Sequence, residues 1–140
     1  WDVTCLLVQP TSDIVATDFD GDGKLEILTF SKFHGDTLAI WHEGQTRDRY
    51  EQVWCDPQKR SFLHALWAAD LNGEKCAVIG NRKDGRDLLL VRYVDGEYTV
   101  DVIDHDLGPA NCMVYRHDGS DYIVAAYRET DQLALYKVVE

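Results

Sequence analysis

The chain has 140 residues, of which 45% are hydrophobic and 11% aromatic, and this composition excludes a disordered chain. Its 25 acidic and 14 basic residues give a net charge of −11, so nucleic acid and anionic membranes are poor candidate partners. No apolar stretch approaches the roughly 18–20 residues that a membrane-spanning helix needs.

Residues 1–7 contain the first predicted strand. Cys5 and Cys55 end two similar segments, residues 1–5 and 52–55. Both segments are therefore predicted to be strands at equivalent places of a repeat. The leading strand would then be left over from an earlier repeat.

Three longer segments follow, and they share one order of elements. Each has a short apolar run, an Asp-Gly or Asn-Gly turn, a second apolar run, a charged loop and a third apolar run; the segments are residues 14–41, 66–91 and 112–136. Short runs of β-branched and aromatic residues between Asp, Asn and Gly are typical of strands. A fourth strand is predicted after the first two segments, at residues 49–55 and 98–103. No segment has the apolar periodicity of a helix.

This repeat of about 50 residues predicts an all-β fold, a β-propeller of about three four-stranded antiparallel blades. The predicted blades are residues 8–56, 57–104 and 105–140, the last closed by a strand like residues 1–7, in one propeller segment over 1–140. Propellers usually need about 4–8 blades to close, so we expect another copy or missing blades to complete a larger or oligomeric ring. A sandwich or a small barrel is the alternative.

The four cysteines, Cys5, Cys55, Cys76 and Cys112, form no CxxC pair. We expect all four to be free, buried thiols, which favours a reducing, cytoplasmic compartment. Three tryptophans lie in apolar runs, where an aromatic residue is more often core than a platform for sugars; they are Trp41, Trp54 and Trp67.

An acidic loop follows the first apolar run, and it reads Asp-Phe-Asp-Gly-Asp-Gly-Lys-Leu-Glu over residues 18–26. Calcium takes 6–8 oxygen ligands, and carboxylates at alternate positions of a tight loop converge on one point. The predicted calcium ligands are therefore Asp18, Asp20, Asp22, the backbone carbonyl of Lys24 and Glu26.

Two other interpretations of this loop, an EF-hand and a hairpin turn without metal, fit the sequence less well. An EF-hand needs a glutamate at position 12 of the loop, where this chain has Thr29, and both flanks are predicted strands. A hairpin turn without metal would leave four acidic residues within nine positions to repel one another. The equivalent segments of the other two repeats, residues 70–76 and 116–120, lack the later ligands and are predicted to be plain turns.

With its Asp-x-Asp-Gly-Asp-Gly-x-x-Glu core, the segment 16–28 resembles the FG-GAP/VCBS repeats of integrin-like β-propellers. Segments 68–80 and 114–126 are similar to degenerate copies, so the resemblance covers most of the chain. It implies a propeller with calcium in the first inter-strand loop of a blade. That family includes carbohydrate-binding lectins, adhesion modules and a sugar lyase, so it implies no single activity.

Strand alternation predicts where a ligand would bind. The loops between second and third strands, and the segments leading into each first strand, lie on the face opposite the calcium loop. This face collects the predicted ligand-binding residues His34, His64, Arg82, Asn111 and Arg128. Imidazole, guanidinium and amide groups suit a polyhydroxylated or anionic small ligand, although solvated connecting loops would also be polar.

Two functions of different classes follow from these residues. One is a calcium-stabilised binding module for a carbohydrate, another small polar ligand or a protein partner. The alternative is a propeller enzyme of the sugar lyase or isomerase type, with His34 or His64 as the acid/base. Because no recognisable catalytic set stands out in the sequence, we favour binding.

Overall fold

The computed structural model describes residues 1–46 and 48–139, and in these residues the chain is all-β. Eleven strands form three antiparallel sheets, and in each sheet the strands follow one another in chain order. No helix in this part of the chain is long and apolar enough to span a membrane.

The strand bounds agree closely with the predicted repeat. The first sheet contains β1 (Asp13–Thr17), β2 (Glu26–Ser31), β3 (Thr37–Glu43) and β4 (Tyr50–Cys55). The middle sheet contains β5 (Ser61–Leu71), β6 (Glu74–Lys83), β7 (Leu88–Val94) and β8 (Glu97–Asp104). The third sheet contains β9 (Pro109–His117), β10 (Ser120–Tyr127) and β11 (Gln132–Lys137).

The strand predicted within residues 1–7 is wrong, because this segment has no regular secondary structure and Trp1 is fully exposed. A strand needs a partner strand for its backbone hydrogen bonds, and no strand of the described chain pairs with this segment. Cys5 to Gln9 instead line a cleft together with Trp41 and Tyr50 of the first sheet.

Three hairpins turn on two residues that both have positive φ. They are Asn72-Gly73, Asp95-Gly96 and Asp118-Gly119. Asn and Asp tolerate this conformation, glycine adopts it without strain, and such turns match the twist of the flanking strands. The two plain turns predicted in the second and third repeats therefore form as predicted. Among the three connections between the first and second strands of a sheet, that between β1 and β2 is expanded, to eight residues.

The middle sheet is buried on both faces, which explains the nearly continuous apolar sequence of β6. Ala77 and Ile79 face the first sheet, where they join a core with Leu28, Phe30 and Leu38. Alternate residues of the same strand face the third sheet, in a second core formed by Cys76, Val78, Leu88, Cys112, Ile123 and Tyr127. Because successive side chains of a strand point to opposite faces, β6 contributes residues to both cores.

The first strands of the three sheets lie side by side, since β5 contacts β1 on one side and β9 on the other. Gly80 of β6 allows a close approach to β9, because a Cβ at this position would lie 2.5 Å from the carbonyl oxygen of Pro109. The far face of the third sheet is left open. Its exposed apolar side chains are Met113, Tyr115, Leu133 and Leu135.

The expectation of four buried thiols is wrong for two of them. All four cysteines are free, but Cys5 and Cys55 are exposed, whereas Cys76 and Cys112 are buried. Cys5 lies in the segment without a strand, and Cys55 ends the edge strand β4. Among the tryptophans, Trp54 packs against the first core as expected. Trp67, however, is 41% exposed.

Candidate functional site

Residues 18–25 of the acidic loop connect β1 with β2, and its last residue, Glu26, pairs with Thr17 as the first residue of β2. Phe19 anchors the loop, because this ring is only 6% exposed and packs edge-on against Tyr98 of the middle sheet. The acidic residues on either side of Phe19 therefore turn away from the core. Gly21 and Gly23 adopt positive φ and bend the loop over this anchor.

Backbone amides hold the carboxylates of the loop in place. The amide of Lys24 donates to Oδ1 of Asp22 at 2.8 Å, that of Asp22 to Oδ1 of Asp20 at 3.1 Å, and that of Gly23 to Oδ2 of Asp18 at 3.0 Å. The contacts made by Asp20 and Asp22 are Asx turns, in which an aspartate side chain accepts from the backbone amide two residues further on. The role predicted for the carbonyl of Lys24 stays a prediction.

Two buried carboxylate oxygens of this cluster have no hydrogen-bond partner, Oδ1 of Asp18 and Oε1 of Glu26. Glu26 is completely buried, although carboxylates are almost never fully buried unless they are paired. Ligand oxygens of Asp18, Asp20, Asp22 and Glu26 lie within 4.8 Å of one another. Calcium–oxygen distances of about 2.3–2.6 Å put opposite ligands about 4.6–5.2 Å apart. The cluster could therefore hold a metal ion.

The electrostatics of the cluster disfavour the negative charge of Glu26. Burial raises the pKa of Glu26, and the negative charges of Asp20 and Asp18 add to the effect. Burial also raises the pKa of the neighbouring Tyr98 hydroxyl, and the negative charge of Glu26 raises it further. The opposite shift occurs at Asp22, where the amide of Lys24, and after it His42, lower the pKa. A bound cation would relieve the repulsion at Glu26.

His42, from the end of β3, is a member of this site that the sequence analysis missed. Its Nε2 lies 3.2 Å from Oδ2 of Asp22 and 3.5 Å from Oε1 of Glu26. The carbonyl of Glu43 is hydrogen-bonded to Nδ1 of the same ring at 2.8 Å, and this contact is the largest cause that raises the pKa of His42. The strand register could have revealed His42. Trp41 of β3 pairs with Ile27 of β2, so His42, the next residue of β3, lies beside Glu26.

A cleft of about 470 Å³ runs from the acidic loop between the first and middle sheets. Asp20 and His42 lie at the loop end of this cleft, and aromatic side chains form its walls; these are Trp54, Tyr93 and Tyr98. The cluster can therefore be reached from solvent, although Glu26 itself is buried.

In the equivalent loops of the other repeats, a basic side chain takes the place of some of the acidic residues. Nζ of Lys75 pairs with Asp70 at 2.8 Å, and the guanidinium of Arg116 lies 3.4 Å from Asp121. Within residues 1–46 and 48–139, clusters of three or more potential metal ligands occur only at the first loop.

The five predicted ligand-binding residues lie at one end of the sheets, opposite the acidic loop, as strand alternation requires. Three of them meet at a residue that the sequence analysis did not select, Phe62. The ring of His34 stacks on Phe62 with centroids 4.5 Å apart, His64 lies 5.1 Å from His34, and the Arg82 guanidinium covers Phe62 at 4.9 Å.

The backbone explains how this group forms. Phe62 has a φ of 63°, an outlier for a bulky residue, and β5 has a register irregularity between Leu63 and Ala65. Such bulges redirect a side chain, here His64, whose Nδ1 lies 2.9 Å from the carbonyl of Ala110. No sequence signal marked Phe62, because strain of this kind depends on tertiary packing.

Asn111 and Arg128 are not part of the Phe62 group. Oδ1 of Asn111 accepts a hydrogen bond of 2.9 Å from the amide of Cys112, and Asn111 lines a separate cleft with Trp67 and Met113. Arg128 is exposed on the β10–β11 loop. Arg82 itself is paired, since its Nη2 lies 2.5 Å from Oε1 of Glu129.

A buried polar network supports the same end of the molecule. Nε of Arg60 donates to Asp56 at 2.8 Å, and its Nη1 lies 3.9 Å from Asp87, which accepts from Nδ2 of Asn81 at 3.4 Å. All four residues are at most 9% exposed. Because every member has a partner, this network is best explained as a structural support of the loops.

No protein-family model matches this chain, and no curated protein matches its sequence significantly.

Proposed function

We propose that this chain is a calcium-stabilised binding module built from propeller blades. The observation that carries the proposal is the completely buried Glu26, whose unpartnered Oε1 faces three aspartates. A set made only of oxygen atoms suits a hard cation, and calcium accepts the 6–8 ligands that carboxylates, a backbone carbonyl and water can supply. The ligands would be Asp18, Asp20, Asp22, the carbonyl of Lys24 and Glu26.

The propeller part of the proposal is supported by the arrangement of the sheets. Three sheets of consecutive antiparallel strands place their first strands together, and their faces pack on one another. These are features that blades around a common axis would have. The open face of the third sheet would then contact a further blade, from another copy or from additional sequence. The FG-GAP/VCBS resemblance of segment 16–28 agrees with this architecture.

The ligand would bind at the end opposite the calcium loop. Phe62 and the imidazoles of His34 and His64 offer flat surfaces, while Arg82 and Lys83 place two cations within 5.1 Å of the Phe62 centroid. A carbohydrate, another small polar ligand or an acidic protein segment is the ligand that such a surface favours. The acid/base role considered for His34 or His64 stays a prediction.

Calcium-dependent melting tests the proposal. A cation bound only by the folded protein stabilises it by mass action, by about 2.7 kcal/mol at 100 times the dissociation constant. We expect the melting temperature to rise by roughly 5–10 °C between chelator and excess calcium. Asp20→Asn should abolish this rise, whereas Asp118→Asn, in the turn of the third repeat, should keep it. An equal melting temperature of the parent in both conditions would overturn the calcium proposal.

A further inference from the structure

One ring nitrogen of His42 is already oriented by the backbone. The carbonyl oxygen of Glu43 can only accept, so Nδ1, 2.8 Å away, carries the hydrogen. Nε2 faces the carboxylates of Asp22 and Glu26, and in the neutral ring this nitrogen carries the lone pair that a metal would use. A histidine that ligates a metal almost always donates its other N–H in this way, often to a backbone carbonyl.

The spacing around Nε2 fits ligands of one small metal ion. Nε2 lies 3.5 Å from Oε1 of Glu26 and 3.2 Å from Oδ2 of Asp22. Two ligands of a tetrahedral zinc ion, each about 2.0–2.1 Å from the metal, lie about 3.3 Å apart. Ligand atoms of His42, Glu26 and Asp20 all lie within 4.8 Å of one another.

Glu26 gives an independent reason to place a cation here. Its side chain is 0% exposed, and the oxygen nearest to His42 is one of the buried atoms without a hydrogen-bond partner. At 3.5 Å, Nε2 is too far away to be a good hydrogen-bond donor to this oxygen. A metal ion between the two atoms would satisfy this oxygen and would replace the contact of Nε2 with Asp22.

We propose that His42, Glu26 and Asp20 form a binding site for a divalent transition metal such as Zn²⁺ or Co²⁺. Imidazole nitrogen with carboxylate oxygen suits these ions, whereas calcium prefers oxygen alone. The inference rests on the acidic loop of the proposed function, because Glu26 and Asp20 belong to both ligand sets. The two metals therefore compete for the loop, and His42 decides between them.

Metal titrations of matched variants test this site. Exposed thiols also bind zinc, so the parent for every measurement carries Cys5→Ser and Cys55→Ser. Zn²⁺ affinity is measured by calorimetry, and Co²⁺ binding by visible absorption. We expect His42→Gln to weaken Zn²⁺ binding at least about tenfold. The control His117→Gln removes an exposed histidine of the third repeat and should leave the affinity unchanged.

Calcium separates this inference from the proposed function. We expect excess calcium to displace Zn²⁺ from the parent, and His42→Gln to keep the calcium-dependent rise in melting temperature, which also shows that the variant is folded. Equal Zn²⁺ affinities of His42→Gln and His117→Gln would overturn the inference even if calcium binds. Zinc binding that requires His42, without any effect of calcium, would support the inference and overturn the calcium proposal.

A second measurement needs no substitution at His42. In the Co²⁺-loaded parent, a ligating imidazole places its exchangeable Nδ1–H close to the paramagnetic ion. We expect one strongly shifted exchangeable proton in the NMR spectrum, and its absence would overturn the inference.

Discussion

The backbone amide of Phe19 donates a hydrogen bond of 2.6 Å to Oε2 of Glu26. One residue of the loop is thereby anchored in the core, and it holds one oxygen of the buried carboxylate while the other oxygen faces the aspartates. The acidic cluster is thus fixed from the protein interior.

Glu26→Gln should separate metal binding from folding. The amide keeps the volume of the side chain: its oxygen can accept from Phe19, and its nitrogen can donate to the neighbouring aspartates. We expect the calcium-dependent rise in melting temperature to disappear. Stability in chelator should stay the same or rise by about 1 kcal/mol, because a buried charge is removed. Urea unfolding with and without calcium measures both, and Glu97→Gln on β8 is the control. A variant that still responds to calcium would contradict this prediction.

The ion pair between Arg82 and Glu129 should contribute more than an exposed pair. The Arg82 side chain is 10% exposed, and its Nε is buried without a partner. We expect Glu129→Gln to lower the free energy of unfolding by about 1–3 kcal/mol, because a nearly buried guanidinium loses its partner. Asp70→Asn breaks the exposed pair with Lys75 and should cost less than about 1 kcal/mol. Equal losses in the two variants would count against this ranking.

The same pair predicts a pH dependence. Hydrogen bonding to Arg82 lowers the pKa of Glu129 from its usual value of 4.5. The folded state therefore releases this proton more readily than the unfolded state. The stabilisation is fully present above pH 4.5 and is lost as the pH falls through the lower, folded-state pKa. The free energy of unfolding, measured across this acidic range, should fall in the parent. The fall should be smaller in Glu129→Gln.

The hydroxyl of Tyr136 joins the third sheet to the middle sheet, because it donates to Oδ2 of Asp104 at 2.7 Å. Tyr136→Phe should lower the free energy of unfolding by about 1.5–3 kcal/mol, as expected for a hydrogen bond to a charged group. The control is Tyr122→Phe on the outer side of the third sheet, where we expect a change within about 0.5 kcal/mol. Similar urea midpoints for both variants would contradict the prediction.

The cysteines should react in two classes. Burial raises the pKa of both Cys76 and Cys112 to about 12, so at pH 8 their reactive thiolates are nearly absent. Cys5 and Cys55 are exposed. We expect a chromogenic disulfide reagent to titrate two thiols rapidly and the other two only in denaturant. Four rapid equivalents in the native protein would show that the second core opens readily.

The open face of the third sheet should mediate self-association if another copy completes the ring. Leu133 and Leu135 are 75% and 59% exposed. Contiguous apolar surface next to an unpaired strand favours association. We expect sedimentation to show an oligomer that Leu133→Glu with Leu135→Glu dissociates, whereas Val102→Glu on the exposed side of β8 does not. A parent that is monomeric at all concentrations would contradict association through this face.

Local patterns predicted the strands and the acidic loop well, because both depend on neighbouring residues. Alternating apolar runs and Asp-Gly or Asn-Gly turns were enough to place β5 to β10, and the spacing of Asp18, Asp20 and Asp22 located the acidic cluster that could hold a metal ion. The predicted strand in residues 1–7 was wrong, because its formation depends on a partner strand and not on its own sequence.

The missed residues are those that strand pairing brings to a site. His42 lies sixteen positions beyond Glu26 and reaches it only through the register of β2 with β3. Phe62 organises His34 and Arg82 through a strained φ and a bulge, features that no residue pattern reveals. Packing also separated Asn111 and Arg128 from the other predicted ligand residues, although the topology placed all five at the same end.

The division of β6 between two cores has a consequence for folding. Ala77 and Ile79 serve one core while Cys76 and Val78 serve the other, so neither outer sheet can detach without exposing a face of the middle sheet. Loss of either core would weaken the other through the strand that they share. The chain should therefore unfold in a single cooperative transition, in which a substitution in either core moves the midpoint recorded by a probe in the other.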